Sequence, residues 1–230
     1  GYLTSDMSQV GNYEQSQKIL KLSYTLITSL GTVMTPRIAS VLSNNNKEKV
    51  EEYLAKSINF VFFLGIPLTL GVMSVAKTLV PWFLGEEFSL SVSILMTGSL
   101  LIIAKGFTDV AGVQYLIPSR NQAIFTKSVV TGAILNVVLN FILIPICGAI
   151  GAIIASVIAE VAIAIVQYYY VKKQINIQIF TKAYLKYIVS GVLMFLTVYV
   201  MGIFMETTII TTILQICVGG IIYIGSLLIM

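Results

Sequence analysis

The chain has 230 residues, 57% of them hydrophobic and only 10% charged, with a net charge of +4 and a mean hydropathy of +0.93. A water-soluble domain carries about 25% charged residues to solvate its surface, so this composition excludes one and requires lipid around the chain. His is absent and the two cysteines, Cys147 and Cys217, lie within or beside apolar runs, which excludes His-dependent nucleophilic centres and a metal site of recognisable spacing.

Crossing about 30 Å of hydrocarbon takes about 20 apolar residues as a helix. Taken in chain order, residues 1–14 form a polar lead-in, and spans are predicted near 15–43, 57–80, 90–116, 123–144, 149–171, 183–204 and 209–230. The fold class is therefore all-α, a polytopic transmembrane helix bundle of about seven spans. The first segment overshoots the bilayer. Pro67, flanked by Gly65 and Gly71, predicts a bend and a hinge in the second. Pro145 to Gly148 reads as a tight turn between the fourth and fifth. Gly148, Ala152 and Ser156, and likewise Gly151, Ala155 and Ala159, form small-residue ridges at spacing four that let helix backbones approach.

Successive loops carry three basic residues (Lys47, Lys49, Lys56), none, one (Arg120), none, four (Lys172, Lys173, Lys182, Lys186) and none. Basic loops stay in the cytoplasm, which places the start of the chain outside and Met230 inside. Lys18, Lys21 and Lys77 run against this bias. An exported start with no apolar segment before it predicts the C-terminal part of a longer protein. No loop is long enough for a catalytic domain, no GxxxxGK[ST] phosphate loop occurs, and no basic cluster interleaved with aromatics offers a nucleic-acid surface. The expectation is a non-enzyme with no cofactor, no metal and no nucleic-acid partner.

An ionisable residue inside a span costs about 2.5–3.5 kcal/mol on the insertion scale, so each needs a reason. Lys105 and Asp109 lie one turn apart in the third span, either as a self-paired patch or as the lining of a water-filled cavity. Glu160 sits mid-span in the fifth with no basic residue within a turn. Lys105 and Glu160 are each eleven residues from the cytoplasmic ends near Leu116 and Val171, about 17 Å of helix, which predicts that they meet across a central cavity. Asn136 and Asn140 share a face of the fourth span, as interhelical glue or as sugar contacts. Arg37 follows Pro36 near the cytoplasmic end of the first span, to snorkel to lipid phosphate or to meet an anionic headgroup. Tyr168, Tyr169 and Tyr170 read as an interfacial anchor.

Several stretches resemble the polysaccharide repeat-unit flippases of the Wzx type: Ser29–Ile38, Gly112–Pro118, Gly132–Glu160 with Asn136, Asn140 and Pro145, and Val10–Ile19. That family belongs to the multidrug/oligosaccharidyl-lipid/polysaccharide exporter superfamily. The resemblance implies a MATE-like fold of fourteen spans, with this chain supplying the eighth to the fourteenth. Residues 15–175 would then be five spans of the C-terminal lobe and 176–230 two additional spans, the N-terminal lobe being absent. It further implies flipping of an undecaprenyl-diphosphate-linked oligosaccharide across the bacterial cytoplasmic (inner) membrane, for capsule, O-antigen or exopolysaccharide. On this reading Lys105 and Arg37 meet the diphosphate, and Asn136, Asn140 and Gln114 meet sugar hydroxyls. Glu160 or Asp109 carries a coupling proton or sodium ion. The competing readings are a cation-coupled drug antiporter of the same superfamily, a peptidoglycan lipid-precursor flippase, and a non-transporting membrane scaffold, which would not need charges at mid-depth.

Overall fold

The computed structural model describes residues 7–175 and 184–230, and within them the chain is helical with short turns. Helix α1 runs Met7–Ser43 and α2 Lys47–Phe83. A short turn at Glu86–Phe88 leads into α3 (Ser89–Gly98) and α4 (Leu100–Thr108), continued by a π-helical stretch, Asp109–Leu116. Then come α5 (Gln122–Val171), α6 (Tyr184–Phe204) and α7 (Ile209–Ile229).

Helix α5 is 50 residues long, but Gly148 breaks it at φ 59° and ψ −134°, a conformation open to glycine alone. The two arms fold back on each other. Gln167 Nε2 donates to Ser128 Oγ at 3.0 Å, Asn136 Nδ2 to Ser156 Oγ at 3.4 Å, and Gly132 lies against Ile163 and the Ala159 carbonyl. The tight turn predicted at Pro145–Gly148 is thus present, and α5 contributes two spans. The third span is the bent pair of segments 86–98 and 100–116, turned by 42° at Ser99. Among the described residues five helices are long and apolar enough to cross a membrane, six with the bent pair, and taking the two arms of α5 separately gives seven apolar segments; side chains such as Ile134, Ile221 and Leu228 point outward with 61–83% of their surface bare. In water that exterior would aggregate; in lipid it is the solvated face. The chain is a multi-pass membrane protein.

Helices α1 and α2 are each 37 residues, about 55 Å, and both outrun the bilayer. Helix α1 starts inside what reads as the polar lead-in, because Asn12 is buried there. Its Oδ1 accepts from both Ser91 N (3.0 Å) and Ser91 Oγ (2.9 Å), pinning α1 to α3. Helix α2 begins ten residues before the predicted span. Asn45 takes a left-handed φ of 53°, and Asn46 caps the helix by accepting from Lys49 N at 3.1 Å.

Helix α2 keeps helical backbone from Lys47 to Phe83, through Pro67. Proline withholds the N–H that would bond the carbonyl four residues earlier, here Phe63 O. The Tyr223 hydroxyl of α7 donates to that carbonyl at 2.9 Å. A backbone acceptor vacated in the membrane is therefore satisfied by a neighbouring helix. The same face of α2 holds the last two helices through Thr78 Oγ1 to Gln215 Oε1 (2.5 Å), Gln215 Nε2 to Val198 O (3.0 Å) and Trp82 Nε1 to Thr212 Oγ1 (2.8 Å). Tyr223→Phe is expected to cost about 1 kcal/mol, seen as a lower thermal midpoint in detergent. In the Pro67→Ala background, where an N–H returns, the same change should cost almost nothing.

Two apolar cores result. Residues of α1, α2, the third span and α5 form the larger, around Leu20, Ile27, Ile58, Ile102 and Ile153. Val75, Met194, Val198 and Tyr223 form a smaller one between α2, α6 and α7.

Candidate functional site

Lys105 and Thr108 are three residues apart on α4 and share the face that meets the second arm of α5. Lys105 Nζ lies 2.6 Å from Glu160 Oε2, and Thr108 Oγ1 donates to Glu160 Oε1 at 2.6 Å. Both carboxylate oxygens are therefore engaged. The Glu160 side chain is 8% exposed and that of Lys105 39%, so the pair is closed on one side and open on the other. The meeting expected from equal depth is present. Because Glu160 has lost water, removing Lys105 leaves a carboxylate stranded in apolar surroundings, at a cost of about 3–5 kcal/mol, whereas removing Glu160 leaves a lysine that still reaches the open side.

The self-paired alternative for Lys105 and Asp109 is not what the helix adopts. Lys105 swings to α5, whereas Asp109 faces α1, so close to Gly31 that a Cβ there would stand 2.6 Å from Asp109 Oδ2. Asp109 Oδ2 accepts from Gln114 Nε2 at 2.9 Å, and among the described residues no basic group pairs with it. That bond spans five residues because the backbone here is π-helical, widening the turn so that positions 109 and 114 stack. Gln114 is 1% exposed and its Oε1 has no partner, so it lies inside the protein and not on a cavity wall.

Asn140 Nδ2 donates to Asn136 Oδ1 at 2.9 Å, and Asn136 in turn reaches Ser156 on the other arm. This is the arrangement of interhelical glue. Asn140 Oδ1 is left without a partner, and Asn140 also lines a cavity of about 250 Å³ with Gln9, Tyr13 and Gly148. Gln9 Oε1 accepts from Ala149 N at 3.0 Å and so caps the second arm of α5. Arg37 is exposed on α1 and makes no ion pair among the described residues. Tyr168, Tyr169 and Tyr170 are 38–50% exposed at the end of α5, with Lys173 Nζ 4.0 Å from the Tyr169 ring centre. Lys182, one of the basic residues used for orientation, lies outside the described residues.

Lys105 and Glu160 do not border the cavity of about 540 Å³ between α2, the third span and α5, whose lining is apolar apart from tyrosine hydroxyls. The expected charged cavity is therefore not enclosed within these helices; the pair looks out from the seam between α4 and α5. Sequence reasoning missed Thr108. Its position three residues after Lys105 was the available signal, since whatever Lys105 meets, Thr108 meets also. Thr108→Val keeps the shape and removes the donor to Glu160, a charge-assisted bond of about 1.5–3 kcal/mol. We expect a several-fold loss of function together with a thermal midpoint lowered by several degrees in detergent, and recovery of both with Thr108→Ser.

Residues 3–93 match the model of a family described as polysaccharide biosynthesis protein. The chain is 24% identical over 176 residues to a Haloferax volcanii protein named probable low-salt glycan biosynthesis flippase Agl15, covering 74% of this chain and 36% of that one. It is 25% identical over 156 residues to a putative O-antigen transporter of Shigella dysenteriae (68% and 38% covered). It is 27% identical over 150 residues to the lipid II flippase MurJ of Bacillus subtilis (64% and 27% covered). Among solved structures, a lipid II flippase MurJ in an inward closed conformation superposes with a TM-score of 0.79 at 16% identity, covering 95% of this chain and 46% of that chain. The chain thus matches between about a quarter and two fifths of the length of these curated relatives.

Proposed function

Starting from the chain's relationship to the polysaccharide flippases of the multidrug/oligosaccharidyl-lipid/polysaccharide exporter superfamily, we propose that it is the C-terminal lobe of a transporter that flips a lipid-diphosphate-linked oligosaccharide across the bacterial cytoplasmic membrane. The observation that carries this reading is the Lys105–Glu160 pair, held at mid-span and open on one side. A diphosphate and several sugars cannot enter hydrocarbon unaided. A second lobe facing the open side of Lys105 would enclose a hydrated, partly cationic passage, and rocking of one lobe against the other would expose it to each leaflet in turn.

In this mechanism the Lys105 ammonium leaves Glu160 for the diphosphate and returns when the substrate departs. Glu160, released, takes up a coupling proton or sodium ion, so substrate binding and ion uptake go together and the return of Lys105 expels the ion. Thr108 keeps the carboxylate in place meanwhile. Arg37, without an ion pair among the described residues and toward the cytoplasmic end of α1, would meet the diphosphate first. Asp109 is a second acid able to hold the coupling ion. Asn136 and Asn140 are engaged with each other and Gln114 is enclosed, which supports a scaffolding part for them ahead of sugar contact. The lobe would comprise residues 15–175, with 1–14 leading in from outside and 176–230 as two added spans; the separate core of α6 and α7 supports that division. The start of the chain lies outside and Met230 in the cytoplasm, in keeping with the Lys and Arg pattern.

The test is loss of the gene encoding the whole protein. A flippase moves its substrate without changing its bonds, so intact lipid-linked oligosaccharide should accumulate in extracted membranes while surface polysaccharide falls. A precursor of altered sugar composition would instead mean an enzyme, and an unchanged surface glycan would remove the proposal.

A further inference from the structure

Helix α1 and the third span run parallel in one register. Asn12 bonds to Ser91, a Cβ on Gly98 would meet Leu20, one on Gly106 would meet Ile27, and one on Gly31 would meet Asp109. Every one of these pairs is 78 or 79 residues apart, from the Met7 end of α1 to its middle. Carried one turn further along both helices, the same register sets Thr35 of α1 against Gln114 of the π-helical stretch.

The oxygens that collect in this part of the seam are short of donors. Gln114 Oε1 and Thr35 Oγ1 are both buried without a hydrogen-bond partner. Thr35 differs in this from its neighbours on α1: Thr25, Thr28, Ser29 and Thr32 each return the hydroxyl to a carbonyl of the preceding turn. One turn away, Asp109 accepts from Gln114 Nε2 and, among the described residues, pairs with no basic group. A bare carboxylate and two orphaned oxygens are each costly inside a bilayer.

One hard cation answers all three, because carboxylate, amide and hydroxyl oxygens are the ligands such ions take. A proton on Asp109 would answer the carboxylate and leave the other two oxygens as they are. Charge sets the valence. A single carboxylate neutralises a monovalent ion, whereas a divalent one would leave net positive charge within the span. Space sets the size, since the carboxylate lies so close to α1 that only the missing side chain of Gly31 admits it. Sodium suits so narrow a seam better than potassium. Asp109 itself is only half-buried, which leaves the ion a way in.

We propose that Asp109, Gln114 and Thr35 form a sodium site between α1 and the third span. The π-helical turn builds it by stacking position 114 on 109. The site deepens the part given to Asp109 above: it rests on that reading for the use of the ion in transport, and on the seam alone for its binding.

The full-length protein in detergent is titrated with radioactive sodium, choline keeping the ionic strength constant. Sodium should bind with a stoichiometry of one and raise the thermal midpoint, and potassium at equal concentration should not displace it. Asp109→Asn should abolish binding. Thr35→Val should weaken it about tenfold, and Thr35→Ser should restore it. Glu160→Gln, without substrate present, should bind sodium as the wild type does. If Asp109→Asn gives no monodisperse peak, the two Thr35 variants decide. The proposal is overturned if the wild type binds no sodium, if potassium competes equally, if Thr35→Val binds as tightly as the wild type, or if Glu160→Gln is what removes the ion. Failure here beside accumulated lipid-linked oligosaccharide would remove the sodium site and keep the flippase; bound sodium beside an unchanged surface glycan would do the reverse.

Discussion

Protein level and export should both collapse on either Lys105→Glu or Glu160→Lys, and combining the two changes should recover the protein level substantially while export stays low. Each single reversal places two like charges within 2.6 Å of each other in a site where Glu160 is almost dry. The cost is that of an uncompensated buried charge plus the repulsion, at least about 3–5 kcal/mol, enough to empty the native arrangement. The double reversal rebuilds the pair with its sign inverted. Recovery would not be complete, because Thr108 would now face an ammonium and its hydroxyl would have to turn from donor to acceptor. If Lys105 serves only to neutralise Glu160, the swap should restore both protein level and export. If it also meets the diphosphate, the swap should restore the level and leave export low. Protein level by immunoblot and surface glycan, measured on the same cells, separate these outcomes. Failure of the swap to restore even the level would mean the pair is not the unit described.

Loss of the folded state is expected from Gly148→Val or Gly151→Leu. At Gly148 the backbone holds φ 59° and ψ −134°, where a side chain is strained by about 1–3 kcal/mol, and Gln9 occupies the space a Cβ would need. At Gly151 an added Cβ would run into the Leu143 backbone carbonyl, which cannot step aside as a flexible side chain could. Overpacking of that kind adds about 1–3 kcal/mol. The arms of α5 would be forced apart, taking the Asn136–Ser156 and Ser128–Gln167 bonds with them. Each variant should lose its monodisperse peak in detergent by size-exclusion chromatography. Gly220→Leu, where nothing lies within 4 Å, should keep it.

Much of this architecture was legible from residue order because hydropathy measures what lipid demands. The apolar segments fall where the apolar runs are, and equal counting from the helix ends near Leu116 and Val171 brought Lys105 level with Glu160. The limits were physical too. Hydropathy reports where the bilayer ends and not where a helix ends, so the charged first turns of α2, from Lys47 to Lys56, read as loop. Spacing on one helix could not decide between Asp109 and Glu160 as partner of Lys105, because that depends on which neighbour packs on each side. The π-helical turn at Asp109–Leu116 leaves no mark in a pattern read at 3.6 residues per turn. A proline marks a vacated acceptor but not the group that fills it, and Tyr223 is 160 residues away from Phe63.

That separation has a meaning for how the protein is made. The Phe63 acceptor is vacated as soon as α2 enters the bilayer, yet its donor has still to be translated. At about 5–20 residues per second, synthesis leaves the carbonyl waiting roughly 10–30 s. During that interval α2 holds an open polar contact that α7 later closes. A helix near the start of this stretch is thus completed by one made about 160 residues afterwards, and a nascent chain released before Tyr223 carries an exposed backbone acceptor that the longer chain does not.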